Sequence, residues 1–282
     1  MTTSRADHRF QNSPQDYAAY LSTPEGRLRT DLAFANLQDF LPSMAANQPL
    51  SALDIGCGTG ATAVRLARLG FHVAQLDSSE AMLDIARRAA AEAGINANVI
   101  FLHGDAARLD DVVENASFDL VLCHNLLEYV DDPSNVLRAA ARTLRDRSAI
   151  LSVVVRNRAG EVLKAAIQAG DLPAAEANLT AEWGCESLYG GRVRLFTSSG
   201  LNAMLQSASL VAIAQRGVRV VADYLPARIS RSSEYERILE LERNLGSRPE
   251  FAALARYIHC LARVAPSKAK PDLDQDPGEN LT

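Results

Sequence analysis

Residues 52–61, AlaLeuAspIleGlyCysGlyThrGlyAla, decide how this chain is read. A short apolar run ends near Asp54, glycines follow at alternate positions (Gly56, Gly58 and Gly60), and an amphipathic stretch opens at Ala61. Glycines so spaced let the backbone bend with positive φ, and let a ligand pass over the main chain with no Cβ in the way. Asp54 is placed to orient this loop or to meet an ammonium group. Strand, tight turn and helix follow one another, as in the nucleotide-binding units of α/β sheets.

Working outward, the same alternation repeats. Apolar runs at 50–55, 71–76, 98–102, 118–123 and 149–155 read as buried strands, with amphipathic helices between them. One helix spans about 61–69 and stops at Gly70; the next opens at Ser79 and Glu80 and closes at Gly94; a third starts at Pro133. Repeated βα units imply right-handed crossovers and a parallel sheet. Beyond Val155 a helix is expected near 159–169, then 171–196 shows no clear period and reads as a substrate lid. A helix from Ser198, strands at 210–215 and 256–264, and a second insertion with the helix EYERILELERNL complete the pattern.

Two more acids fall at strand ends. Asp77 closes the second run, where a carboxylate can accept both hydroxyls of a ribose, and GlyAspAla at 104–106 puts Asp105 beside an adenine. Three strand-end positions around one crevice make a nucleoside site. A dinucleotide fold, with its G-x-G-x-x-G fingerprint, stays open because Ala61 at the sixth position is accepted by some such sites. An NAD-dependent oxidoreductase is therefore the alternative from another class.

Composition bounds the rest. The 282 residues are 48% hydrophobic and 22% charged, which suits a folded enzyme with a substantial core, and the formal net charge of −5 gives no global field for a polyanion. Cys57, Cys123, Cys185 and Cys260 stand apart, so reduced thiols and no metal site are expected. The N-terminus has no signal-peptide core and no run of about 18 apolar residues occurs, so a cytoplasmic protein without a membrane span is expected. The Pro-rich, acidic stretch 265–282 is expected to be disordered.

The segments LDIGCGTGATAVRLARLG, LDSSEAMLDIARRAA, HGDAARL and FDLVLCHNLLEYVDDPSNVLRAAARTLR together resemble the class I S-adenosylmethionine-dependent methyltransferases over about 50–155. That resemblance implies an α/β, Rossmann-like, doubly wound sheet of seven strands, mostly parallel with an antiparallel last strand, plus C-terminal insertions. It also implies S-adenosylmethionine as methyl donor, with Asp54, Gly56, Cys57, Gly58, Gly60, Asp77, Asp105 and Ala106 in the donor site. TPEGRLR at 23–29, CHNLLEYV at 123–130, GVRVVADYL at 217–225 and RYIHCLAR at 256–263 resemble a narrower group, the bacterial tRNA 5-carboxymethoxyuridine methyltransferases. This implies that Arg29 and His124 also contact the donor, and that arginines of the C-terminal insertions face the acceptor. The 171–196 lid departs from that group in lacking a lysine-rich run. The domain organisation expected is a helical donor-covering segment at 1–49, a methyltransferase domain at 50–264 with insertions at about 171–196 and 217–255, and the tail.

Charge is uneven. Residues 104–135 hold eight acids against one arginine and read mostly as a solvated face, whereas 192–263 hold eleven arginines, six acids and no lysine. Arginine without lysine suits fork-like recognition of a carboxylate or phosphate. Arg237 and Arg243 sit among helix glutamates as surface pairs. Arg192, Arg194, Arg219 and Arg228 have no adjacent acid in sequence and are candidate acceptor residues, Arg219 with Tyr224 as the clamp at the reacting group. Trp183 and Tyr189 are candidate stacking residues, and Tyr17 and Tyr20 candidate covers of the donor. His124 is read as a donor contact rather than a base, and His259 as a structural histidine. The acceptor expected is the carboxylate of a 5-carboxymethoxyuridine at the tRNA wobble position, giving a methyl ester; the alternative is a small metabolite under the lid. A carboxylate is already ionised at neutral pH and needs no base.

Overall fold

The computed structural model describes residues 13–41, 49–186, 188, 190–226, 229 and 232–266. The expectation of a disordered tail falls on 267–282, outside the described residues.

Five parallel strands form one half of the sheet: β1 (Ser51–Ile55), β2 (His72–Asp77), β3 (Val99–His103), β4 (Leu120–His124) and β5 (Ile150–Arg156). Helices α3 (Ala61–Arg68), α4 (Glu80–Glu92) and α5 (Pro133–Thr143) lie in the crossovers. All seven residues of β5 are buried, as in a strand covered on both faces. Two apolar clusters show this directly, one around Leu53, Val121, Leu137 and Val153, the other around Leu66, Val73, Leu122 and Ile150.

A two-stranded hairpin and three more elements follow. The hairpin is β6 (Trp183–Cys185) with β7 (Arg192–Arg194); α8 (Ser198–Ser207) comes next, and the sheet continues with β8 (Leu210–Val218) and β9 (Tyr257–Val264). Strand order is β3-β2-β1-β4-β5-β9-β8, and β9 runs antiparallel to both neighbours. The doubly wound, seven-stranded sheet expected from sequence is the one observed.

At the N-terminal side, α1 (Pro14–Ser22) and α2 (Pro24–Gln38) meet at Thr23, whose hydroxyl donates to the Tyr20 carbonyl at 2.7 Å and accepts from the Gly26 amide at 3.1 Å. A Cβ on Gly26 would fall 2.1 Å from that carbonyl oxygen, so glycine alone permits the close turn. Buried Leu28, Leu32 and Ala33 of α2 pack with Val154, Val218 and Tyr257, which fixes Tyr17, Tyr20 and Arg29 over the sheet.

Three elements add detail to the sequence reading. Within 171–196, Asp171 caps α7 (Leu172–Asn178) by accepting from the Ala174 amide, and the two strands of the hairpin follow. Its Pro and small residues hid the helix. The helix expected near 159–169 is α6 (Arg158–Leu163) continuing into a π-helical turn over 164–169 that ends at Gly170. Among the acids of 104–135, Glu128 is buried and accepts from the Arg156 amide at 2.8 Å. Glu242 of α9 (Tyr235–Gly246) is buried too, accepting from the amides of Val221 at 2.8 Å and Ala222 at 2.6 Å. These carboxylates hold backbone where strands give way to loops. Arg237 does pair with Glu234 on the surface, at 3.1 Å.

Candidate active site

Gly56, Gly58 and Gly60 have φ of 70°, 54° and 74°. The turn is pinned to β2: the amides of Gly56 and Cys57 donate to the Leu76 carbonyl at 2.8 and 3.0 Å, and the Gly58 amide to Asp77 Oδ2 at 2.8 Å. Asp77 Oδ1 accepts from the Ser79 amide at 2.9 Å, and Ser79 caps α4. Asp77 also lines the adjoining cleft, where a carboxylate can accept from a diol. Asp105 accepts from the Ala107 amide at 2.8 Å beyond β3.

These residues border two joined clefts. Gly56, Gly58, Asp77, Asp105 and Ala106 line one of about 90 Å³; Arg29, Asp54, Gly56, Cys57 and His124 line its neighbour of about 60 Å³. Gly60 supports the loop from below, where a Cβ would meet Gln75 Oε1 at 2.5 Å. Burial, then the charge of Asp77, pushes the Asp54 carboxyl up to about 7. A cation beside it would reverse that shift, which is the chemistry of an α-ammonium. The donor set therefore fits a nucleoside on one side and an amino acid on the other. Burial, then Arg29, pushes His124 down to about 3, leaving a neutral imidazole. Its Nε2 lies 2.8 Å from Ser152 Oγ, which lies 2.8 Å from His259 Nε2. His124 is thus a hydrogen-bonding group, and His259 is tied into the core.

A third cavity, of about 370 Å³, adjoins these clefts and shares Tyr17 with both, Arg29 with one and Tyr129 with the other. Arg156, Arg219, Arg256 and Tyr257 line it and are all buried. Arg156 ends β5 opposite Tyr257 in the antiparallel register, and the Arg256 amide donates to the Arg219 carbonyl at 2.8 Å. Glu161 lies 3.2 Å from Arg156 and 3.0 Å from Arg256, while Asp223 pairs with Arg219 and stands 3.9 Å from Arg256. Arg219 also donates to the Tyr20 hydroxyl at 3.2 Å.

The candidate acceptor residues are dispersed. Arg219 lines the cavity, but its acid partner is Asp223, one helical turn on in sequence. Tyr224 directs its hydroxyl to the Gly160 carbonyl at 3.4 Å and is not among the lining residues. Arg192 and Arg194 place their guanidinium carbons 4.5 Å from the Trp183 ring centroid on the hairpin, whose turn residues Glu186 and Leu188 reach the cavity. Arg228 and Tyr189 lie outside the described residues. Sequence reading missed Arg156, Arg256, Tyr129 and Tyr257, although ArgTyrIleHis at 256–259 was already conspicuous. Among the described residues, no group of His, Cys, Asp and Glu could hold a metal, and no helix is long and apolar enough to cross a membrane.

Residues 52–147 match the family described as a methyltransferase domain. The chain is 31% identical over 265 residues to the tRNA 5-carboxymethoxyuridine methyltransferase of Escherichia coli (strain K12), covering 94% of this chain and 99% of that one. The chain belongs to the S-adenosylmethionine-dependent methyltransferases. That membership decides between the two cofactor classes left open by the glycine loop. The methyltransferase also shares its fold with CcbJ from Streptomyces caelestis (TM-score 0.61, 20% identity, 93% and 99% of the two chains). Magnesium protoporphyrin IX methyltransferase from Synechocystis PCC 6803 is similar as well (TM-score 0.60, 15% identity, 92% and 97%).

Proposed function

We propose that this methyltransferase esterifies a carboxylate, that of 5-carboxymethoxyuridine at the wobble position of tRNA, in the cytoplasm. The observation that carries this is the convergence of Arg156, Arg219 and Arg256 on one cavity that opens onto the donor clefts through Tyr17, Arg29 and Tyr129. Three guanidiniums against the carboxylates of Glu161 and Asp223 leave positive charge that an acceptor carboxylate would balance. Similarity to the Escherichia coli enzyme over nearly its whole length supports the tRNA acceptor.

S-adenosylmethionine supplies a methyl group on a positively charged sulfur. Asp77 would hold its ribose, Asp105 and Ala106 its adenine, and Asp54, Arg29 and His124 its amino-acid end. The chain's remaining task is alignment: a carboxylate oxygen must be held in line with the methyl carbon and sulfur at near-attack distance. A C–O bond forms as the C–S bond breaks, the electron pair stays on sulfur, and no proton is lost. Arg219 and Arg256 would orient the carboxylate, while Tyr17 and Tyr129 exclude water. Arg192, Arg194 and Trp183 would meet the RNA around the reacting nucleotide.

Glu25 and Glu186 on the cavity wall favour a second reading, a small acidic metabolite as acceptor, since both repel a polyanion. Labelled methyl transfer to total tRNA from cells lacking this protein, beside a small-molecule extract of the same cells, separates the two. Alkali-labile label in tRNA supports the wobble ester; label confined to the extract overturns it in favour of the metabolite.

A further inference from the structure

We propose that the Tyr257 phenol is the internal counter-ion of the acceptor site: as a phenolate it balances the arginines while the site is empty, and it takes up a proton when a carboxylate enters. The inference rests on the carboxylate reading of the cavity.

The geometry is unusual for a tyrosine. Tyr257 is buried at the start of β9, in the wall of the acceptor cavity, with four guanidiniums around it. Arg29 comes from α2, its guanidinium carbon 5.7 Å from the Tyr257 ring centroid. Arg156 faces it from β5, Arg219 from the end of β8, and Arg256 precedes it in the chain. Among the described residues, Glu161 on α6 and Asp223 are the carboxylates paired with these arginines, engaged by Arg156, Arg219 and Arg256, while Glu25 and Glu186 also line the cavity. No carboxylate lies within ion-pair distance of Arg29 among the described residues.

Other ionisable groups face Tyr257 from the remaining elements. Tyr20 of α1 is raised by burial and then by Tyr257, while Lys164, from the π-helical turn, is lowered by burial and by Arg256. Tyr129, after β4, is raised by burial and by Glu128. Tyr235 of α9 shares the apolar cluster but bonds to Asp31, which pairs with Arg27 and Arg65. Arg29 donates to the Tyr17 hydroxyl at 2.9 Å. Burial alone would raise the Tyr257 phenol; Arg29, Arg156, Arg219 and Arg256 together outweigh it and bring it down to about 7. Tyr257 is thus the group in this cluster whose charge is free to change near neutral pH.

An anion arriving beside a phenolate raises that phenol's proton affinity, so binding and proton uptake are linked. Carboxylate affinity should therefore fall about tenfold per pH unit above the phenol's midpoint, and the fall should vanish in Tyr257→Phe. The site thereby admits one negative charge at a time, which selects a monoanionic acceptor group.

The test is a near-ultraviolet absorbance titration of tyrosinate on the full chain with S-adenosylhomocysteine bound. The chain has seven tyrosines, and one should ionise near 7 in the wild type and none there in Tyr257→Phe. At slightly alkaline pH, 5-carboxymethoxyuridine nucleoside should abolish that absorbance, and uridine, which lacks the carboxylate, should leave it. A step that persists in Tyr257→Phe, the absence of a step near 7, or equal responses to both nucleosides would overturn the proposal. If tRNA is not the acceptor, the absorbance step and its response to the carboxylate remain. If Tyr257 is not the counter-ion, the step is missing while label still enters tRNA.

Discussion

The Asp77 carboxylate and the Gly58 amide are joined by a hydrogen bond of 2.8 Å, which ties the end of β2 to the glycine loop. One side chain thus shapes the loop and would also receive the ribose. Asp77→Ala is expected to weaken S-adenosylhomocysteine binding by about 2 kcal/mol, through loss of charge-assisted hydrogen bonds. Calorimetric titration checks this; an unchanged affinity would remove Asp77 from the donor site.

Asp54 couples the same site to pH. Its folded value of about 7 lies above the ordinary 3.8, so the folded state holds a proton that the unfolded chain releases. The associated stability is fully present below about pH 4 and is lost as pH rises through about 7, on the order of 4 kcal/mol in all. Asp54→Asn should flatten this dependence, making the ligand-free protein more stable on the alkaline side while weakening donor binding. Denaturant midpoints at two pH values, with and without S-adenosylhomocysteine, measure both effects.

Glycine loop strain can be separated from glycine loop space. Gly60 and Gly94 both have positive φ, but a Cβ on Gly60 would strike Gln75, whereas on Gly94 it meets nothing within 4 Å. Gly94→Ala should cost about 1 kcal/mol of stability from the backbone alone, and Gly60→Ala clearly more. Equal losses in chemical denaturation would show that the Gln75 contact is relieved at no cost.

Arg219 is held in the left-handed region, with φ of 62°, by the Glu242 carboxylate gripping the amides that follow and by its own pair with Asp223. Arg219→Ala leaves that buried acid with less compensation and should cost about 3 kcal/mol of stability. The folded enzyme should keep its S-adenosylhomocysteine affinity and lose most of its kcat/KM. Adding Asp223→Asn should restore stability without restoring turnover; recovered turnover would limit Arg219 to a structural role.

On the hairpin, Arg192→Glu with Arg194→Glu should raise KM for tRNA and lower the salt dependence of tRNA binding by about two counterions. Methylation of the free nucleoside should not change. A loss shared equally by both substrates would place the two arginines in the architecture of the cavity instead.

The proposed donor half was legible because its determinants are local. Gly56, Gly58 and Gly60 are contiguous with the strand they follow, and Asp77 and Asp105 sit at the ends of apolar runs that read plainly as strands. The acceptor half was not. Arg156 and Tyr257 are a hundred residues apart and meet through the β5–β9 register, which no periodicity reveals. Arg219 looked unpaired because Asp223 returns to it only once the chain leaves β8 in a left-handed turn. The hairpin around Trp183 was hidden because three-residue strands are too short for alternation to show.

Strand β9 is the last of the sheet in chain order, yet it lies between β5 and β8. It pairs with both of them and brings Arg256 and Tyr257 with it. During synthesis the strands bearing the donor residues emerge well before this strand. The cavity wall that carries Arg256 and Tyr257 is therefore contributed by the last strand in chain order, whereas the glycine loop, Asp77 and Asp105 come from the first half of the chain.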